Sequence, residues 1–360
     1  MTCAVRGLSA NAWCKLVSHR RRELAGPMNL FICLADHFEP ERGQAPLEVQ
    51  RQRVARWVRD YPRSVEGLHD SAGRAPRHTF FYPAEAYEAE HLDALSGLCR
   101  RGFGEVEVHL HHDNDTSENL RETLELFCER LYYRHGLLHK DAQGRIRYGF
   151  IHGNWALDNC RPDGRWCGVN DELTILRETG CYADFTLPSA PAPGQTSTVN
   201  SIYYAIDDPH RPNSHDRGIV SACHRSPPGE GLLMIQGPLT LDWGKRKLGF
   251  LPGIENGNLD AHRPPTAERL DLWLDAAPTV HGCPNWRFIK LHTHGAHEPN
   301  AEMLLGPAMR RFHEQLADYC RRRDGVQYYY VTAREMADLV HRAEAGAEVP
   351  DFEPLGIVAD

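Results

Sequence analysis

The residues best suited to chemistry in this chain are histidines and carboxylates at the ends of apolar runs. Asp36-His37-Phe38-Glu39-Pro40 follows the apolar run 30–35 and offers a carboxylate and an imidazole together, which suits a general base beside a metal ligand. In Glu105-Val106-Glu107-Val108-His109-Leu110-His111-His112-Asp113-Asn114-Asp115 the side chains alternate as on a strand, so His109 and His111 share a face. Ile289-Lys290-Leu291-His292-Thr293-His294-Gly295 repeats the pattern. A histidine released from a buried strand can donate a proton or bind a metal, and the glycine permits close backbone approach. Imidazole is the commonest ligand for borderline divalent metals and carboxylate suits harder ones, so these types converging in one place describe a metal site.

Two further segments carry polar letters. His152-Gly153-Asn154-Trp155 puts donors and an aromatic surface on a loop, as a sugar-binding groove would, although Trp155 and Trp166 fit equally as hydrophobic plugs. Ser214-His215-Asp216 has the letters of a hydrolytic triad, but a triad needs convergence in space, and adjacent residues favour a turn.

The elements that must position these groups alternate in type. Short β-rich runs at 30–35, 78–82, 105–111, 146–152, 182–186, 232–236, 286–291 and 326–331 are separated by helical stretches near 46–61, 84–101, 116–134, 170–179, 266–274, 301–322 and 333–345. Asp115 with Glu118 three residues later has the form of a capping box. The Pro-, Ser- and Asn-rich region 187–216 reads as a long functional loop, with 199–205 able to form a strand. Seven or eight βα units without a repeat make an α/β chain, a parallel barrel in one domain with long loops. Such a barrel places its chemistry where strands end, and one mouth would then gather His37, His109, His111, His112, His152, His292 and His294.

Composition bounds the rest. With 360 residues, 41% of them hydrophobic, the chain can bury a sizeable core. A net charge of −8 gives no support for nucleic-acid binding. No apolar run of about 18 residues occurs, so no membrane span is expected. The eleven cysteines are scattered without a CxxC pair, which suits reduced thiols and a cytoplasmic setting. Residues 1–28, with Arg20, Arg21 and Arg22, read as a basic N-terminal extension whose composition allows disorder; 29–345 is the barrel and 346–360 a C-terminal tail. Oligomeric state leaves no mark in the sequence.

At these residues the chain resembles a divergent polysaccharide deacetylase, carbohydrate esterase family four, over roughly 30–345. That family's first motif is an apolar strand ending in two aspartates, one the base and the next a metal ligand; by position Asp36 is the base and His37 replaces the ligand. The second motif matches Glu107, His111 and Asp115, while the frame Glu105, His109, Asp113 has the same spacing. His152 stands where the family has an arginine that orients the base, and Leu291-His292 matches the last motif, making His292 the acid. The resemblance implies a distorted seven- or eight-stranded β/α barrel. It implies His37, His111 and Asp115 as ligands of one divalent ion, zinc first, with cobalt, nickel or manganese as alternatives. His152, Asn154 and Trp155 would then face the substrate, and the reaction would be hydrolysis of the N-acyl group of a sugar or saccharide-containing small molecule. Asp184 is offered by strand position as a supporting group. Two other readings compete: an amidohydrolase-like metallohydrolase built on the His292/His294 pair, and a non-catalytic carbohydrate-binding barrel.

Overall fold

The computed structural model describes residues 7–18, 27–247 and 251–353. The arginine run 20–22 lies outside them.

The strands in chain order are β1 (Met28–His37), β2 (His78–Pro83), β3 (Gly104–Leu110), β4 (His139–Lys140), β5 (Ile146–His152), β6 (Cys181–Asp184) and β7 (Ile202–Ile206). They continue as β8 (Ile219–Val220), β9 (Gly231–Ile235), β10 (Thr240–Lys247), β11 (Leu251–Glu255), β12 (Asn258–Leu259), β13 (Trp286–Thr293) and β14 (Val326–Tyr330). The main sheet runs β12-β13-β1-β2-β3-β5-β6-β9-β7-β8 and is parallel from β12 to β9. β7 and β8 turn antiparallel at its end, and off this path the short β4 pairs antiparallel with β5. β1 sits at the centre: β13 covers one edge, β14 pairs with the first half of the other edge and β2 with the second. The path does not close on itself among the described residues, although Ala222 and His281 form a single parallel bridge between the β8 and β13 ends. The molecule is thus a mixed α/β fold around a large, mostly parallel sheet, as the alternating pattern predicts.

Side-chain parity divides the core. Phe31, Cys33 and Ala35 of β1 pack with Phe81, Ile151, Phe288 and the helix Ala333–Glu344 on one face of the sheet. Leu30, Ile32 and Leu34 pack with Trp57, Phe80 and Tyr148 on the other, beneath the helices Leu47–Ser64 and Ser117–Glu129. This alternation decides which functional residues can meet.

Where sequence and structure differ, local chemistry gives the reason. β1 and β13 run past their apolar cores to His37 and Thr293, so Asp36, His37 and His292 lie inside strands. Thr116, not Asp115, caps Ser117–Glu129: its side chain accepts from the Asn119 N–H, while Asp115 Oδ1 accepts from the Thr116 N–H. The expected helix over 301–322 is two, Glu298–Leu304 and Pro307–Arg321, because Pro307 cannot continue a helix and opens the second. The antiparallel pair β10/β11 carries no strong alternation in the sequence. Within the region read as an extension, Leu8 and, from helix Ala10–Ser18, Ala12 and Leu16 pack against Ala190, Leu239 and Leu241. No helix among the described residues is long and apolar enough to cross a membrane.

Candidate metal centre

His37 continues the odd face of β1, His109 lies opposite Ile151 on β3, and His294 follows the end of β13. They meet around a residue that the sequence reading did not single out. Glu39 Oε1 lies 3.4 Å from His109 Nε2, 3.7 Å from His111 Nε2 and 3.8 Å from His294 Nε2. Its other oxygen, Oε2, accepts from Arg42 at 2.8 Å. The His37 ring stands 4.8 Å from that of His294 and 5.0 Å from that of His109. His37, Glu39 and His294, and likewise Glu39, His109 and His111, present potential ligand atoms within 4.8 Å of one another.

The hydrogen bonds around this cluster fix which nitrogen faces inward. His109 Nδ1 donates to the Ile151 carbonyl at 2.8 Å, leaving Nε2 as a lone pair without a hydrogen-bond partner. His111 Nδ1 donates to Glu85 Oε1 at 2.6 Å, the carboxylate–histidine arrangement that orients metal-binding imidazoles. His109 Nε2 and His111 Nε2 thus both point at Glu39 Oε1, a nitrogen and oxygen donor set of the kind that holds a divalent ion.

The electrostatics divide the set: for His111 burial acts downward, but the hydrogen bond to Glu85 and the charges of Glu85 and Glu39 more than offset it and raise the imidazolium, whereas His37 and His294 are lowered. Burial pushes the His37 imidazolium well below its ordinary range, reinforced by His294 and His109, so His37 is neutral as a ligand must be. Burial likewise brings His294 down to about 4. For Glu39 burial acts upward, but His109, His294 and His111 more than offset it and hold the carboxyl below the usual range. Glu41, also overlooked in the sequence, has a buried Oε2 without a partner and is raised to about 7 by burial, then by Glu39 and Glu85. That is the range in which a carboxyl can exchange a proton at neutral pH.

The residues predicted from the sequence divide among three places. His37 and His111 join the Glu39 cluster. His292 is buried beside it, its ring 6.3 Å from that of His37 and its Nδ1 unpartnered. Trp155, half-buried and held with Asn154 in a left-handed turn, stands 5.9 Å from the His37 ring and 6.2 Å from that of His294. Asp36 lies on the opposite face of β1 from His37. Its Oδ2 meets His78 Nε2 at 2.8 Å and its Oδ1 accepts the Gly295 N–H at 2.6 Å, both fully buried. A Cβ on Gly295 would come within 2.1 Å of Asp36 Oδ2, so this glycine is needed for the close approach. Asp36 therefore positions the His294-Gly295 turn and is not aimed into the cluster.

Asp115 and His152 belong elsewhere. His152 continues the even face of β5 with Tyr148 and Phe150, and it meets His112, Cys167 and Glu172 in a second cluster. Asp115 Oδ2 lies 3.0 Å from His112 Nδ1 at the edge of that second group. The expectation that one mouth gathers every strand-end histidine is thus corrected: adjacent residues on a strand point to opposite faces, and the odd and even positions separate.

The remaining motifs are structural. Glu107 accepts from the Gly149 N–H and the Tyr182 hydroxyl. Asp184 accepts from Thr186. Ser214–Asp216 forms a turn in which Asp216 binds Ser197 and His215 faces Asp158, so no triad assembles. Compared with family models and with curated proteins, the chain matches none.

Proposed function

We propose that the chain is a metal-dependent hydrolase that removes the N-acyl group from a sugar-containing small molecule, on a distorted β/α barrel of the polysaccharide deacetylase type. The observation that carries this reading is the convergence of three histidine Nε2 atoms on Glu39 Oε1 at 3.4–3.8 Å beside the indole of Trp155. His37, Glu39, His109, His111 and His294 are the residues that would hold a zinc ion. Zinc in such a site polarises an acyl carbonyl and lowers the pKa of bound water.

The protein's own groups supply the rest. Arg42 and Glu85 fix the orientation of Glu39 and His111. Glu41, with its carboxyl raised to about 7, takes and returns a proton near neutral pH. Lys290, buried beneath His292 and donating to the Phe185 and Leu187 carbonyls, helps keep the His292 ring neutral. Trp155 offers a flat face to a sugar ring, and Asn154 beside it offers an amide. The amidohydrolase-like reading is favoured by one observation, the place of His294 in the cluster; His292→Asn separates the two, because it removes bound metal only if the His292/His294 pair is the primary ligand set.

Acetate release from soluble N-acetyl sugars, measured beside chitin and peptidoglycan, tests the proposal. Release from the soluble substrates is expected, lost on chelation and restored by zinc. Release undiminished after metal removal, or absent from all three substrates with zinc present, would overturn it.

A further inference from the structure

The second cluster lies on the other face of the sheet, where the end of β5 meets the start of helix Glu172–Thr179. His152 and Glu172 are fully buried, Cys167 is fully buried, and the His112 side chain is 7% exposed. Their potential ligand atoms all fall within 4.8 Å of one another. Glu172 Oε1 lies 3.3 Å from His112 Nε2 and 3.5 Å from His152 Nε2, and Glu172 Oε2 lies 3.4 Å from Cys167 Sγ. Ligand atoms around a tetrahedral zinc are about 3.3–3.8 Å apart, given Zn–N of about 2.0 Å and Zn–S of about 2.3 Å.

Each side chain is oriented from outside. His152 Nδ1 donates to the Gly153 carbonyl at 2.6 Å, which leaves Nε2 a lone pair; it has no hydrogen-bond partner and is aimed at a carboxylate oxygen. His112 Nδ1 faces Asp115 Oδ2 at 3.0 Å. Cys167 Sγ receives the backbone N–H groups of Asn159 at 3.3 Å and Val169 at 3.5 Å, which fix the position of the sulfur, although burial and the neighbouring Glu172 keep it a thiol in the absence of a cation. Glu172 Oε2 accepts the Asp158 N–H.

Without a cation Glu172 is shared between His112 Nε2 at 3.3 Å and the Cys167 thiol, which donates to its Oε2 at 3.4 Å, while the inward His152 Nε2 is left without a hydrogen-bond partner, a cost for a buried polar atom. A dication, a thiolate, a carboxylate and two neutral imidazoles sum to zero charge, which removes the cost of burying any one of them alone.

We infer that His112, His152, Cys167 and Glu172 form a second, closed binding site for a thiophilic divalent cation of the zinc class. On binding, the Cys167 S–H bond breaks, sulfur donates its electron pair to the metal and the proton leaves to solvent. The site ties the loop 153–169 to the ends of β3 and β5. Within that loop Asn154, Trp155, Asp158, Asn159 and Trp166 hold positive φ angles from 50 to 69°, a conformation that non-glycine residues adopt sparingly and that persists where the surroundings enforce it. The inference does not rest on the hydrolase reading, since the two clusters share no residue.

Cobalt titration of the metal-free full-length chain tests it, because only a thiolate ligand gives a sulfur-to-cobalt charge-transfer band. One equivalent of cobalt is expected to develop that band in the wild type and in His111→Ala, and none in Cys167→Ser. Elemental analysis of zinc-loaded protein is expected to show one equivalent fewer in Cys167→Ser. Glu172→Gln, nearly isosteric, supplies a second arm should Cys167→Ser fold poorly: the band should then need at least about tenfold more cobalt. A wild type without the band, a band that survives in Cys167→Ser, or an unchanged titration in Glu172→Gln would overturn the inference.

Discussion

The two histidine clusters use nearly the same side chains and differ in access. At the Glu39 cluster the His111 side chain is 30% exposed, Glu85 35% and His294 18%, whereas Glu172, His152 and Cys167 have no exposure. The open cluster is oxygen and nitrogen only and borders an aromatic face; the closed one adds sulfur and is filled by its own ligands. Catalytic metal sites keep a position free for water or substrate, and structural sites do not. The lesson is that ligand letters alone say little about role: what separates the clusters is the face of the sheet, fixed by one-residue parity in β1, β3 and β5.

Exchanging the two central carboxylates breaks this comparison most directly. Glu39→Gln is expected to reduce hydrolysis of the soluble N-acyl sugar by about a thousandfold or more, on the order of 4 kcal/mol in barrier, while the thiolate–cobalt band persists. Glu172→Gln should weaken metal at the closed cluster and leave the metal equivalent of the open cluster in place. Elemental analysis and activity on the same preparations decide the matter. If either variant loses both metal equivalents together, the clusters act as one coupled site and the division into open and closed roles fails.

A smaller effect discriminates the role of Asp115. Read from the sequence it is a ligand beside His111; in the structure it faces His112 Nδ1. Outer partners of metal-bound imidazoles typically affect affinity by about 10–100-fold. Asp115→Asn is therefore expected to weaken closed-site zinc by about that factor, measured by competition with a chromophoric chelator, with acetate release unchanged at saturating zinc. Lost acetate release with intact closed-site affinity would restore the sequence reading.

Much of this architecture was legible beforehand, and the reasons for the rest are specific. The β1, β2, β3 and β5 runs and the helices after them were visible because their apolar periods are strong and their ends are marked by Pro, Gly or a change of period. His37, His111 and His292 were found because each terminates such a run. Glu39 lies two residues past β1, where Asp36 and His37 dominate the pattern, and its one signal is a His-x-Glu spacing that keeps it on the face of His37. Order along the chain does not reveal on which side of a parallel sheet His152 and Asp115 emerge; the even parity shared by Tyr148, Phe150 and His152 does. Cys167 and Glu172 carried no signal, since their convergence depends on how the loop 153–169 folds back.

The smallest expected effect concerns acid, and its sign follows from Glu172. Burial alone would raise this carboxyl, but His152 and His112 hold it down to about 2 in the folded chain, against 4.5 for the ordinary side chain. A carboxyl whose pKa is depressed on folding contributes stability that is fully present above about pH 4.5 and is lost as pH falls towards 2. In chelated protein, Glu172→Gln should therefore flatten the fall of unfolding free energy over that window by less than one proton, or less than about 1.4 kcal/mol per pH unit. In zinc-loaded protein the carboxylate cannot accept a proton until the metal leaves, so the acid midpoint of the wild type should move to lower pH as free zinc rises, and the midpoint of Glu172→Gln should move less. Urea unfolding at a series of pH values, with and without zinc, measures both slopes. Identical acid limbs for wild type and variant in chelated protein would mean that the two histidines do not hold Glu172 ionised, and the charge balance that makes the closed cluster a metal site would lose its anionic partner.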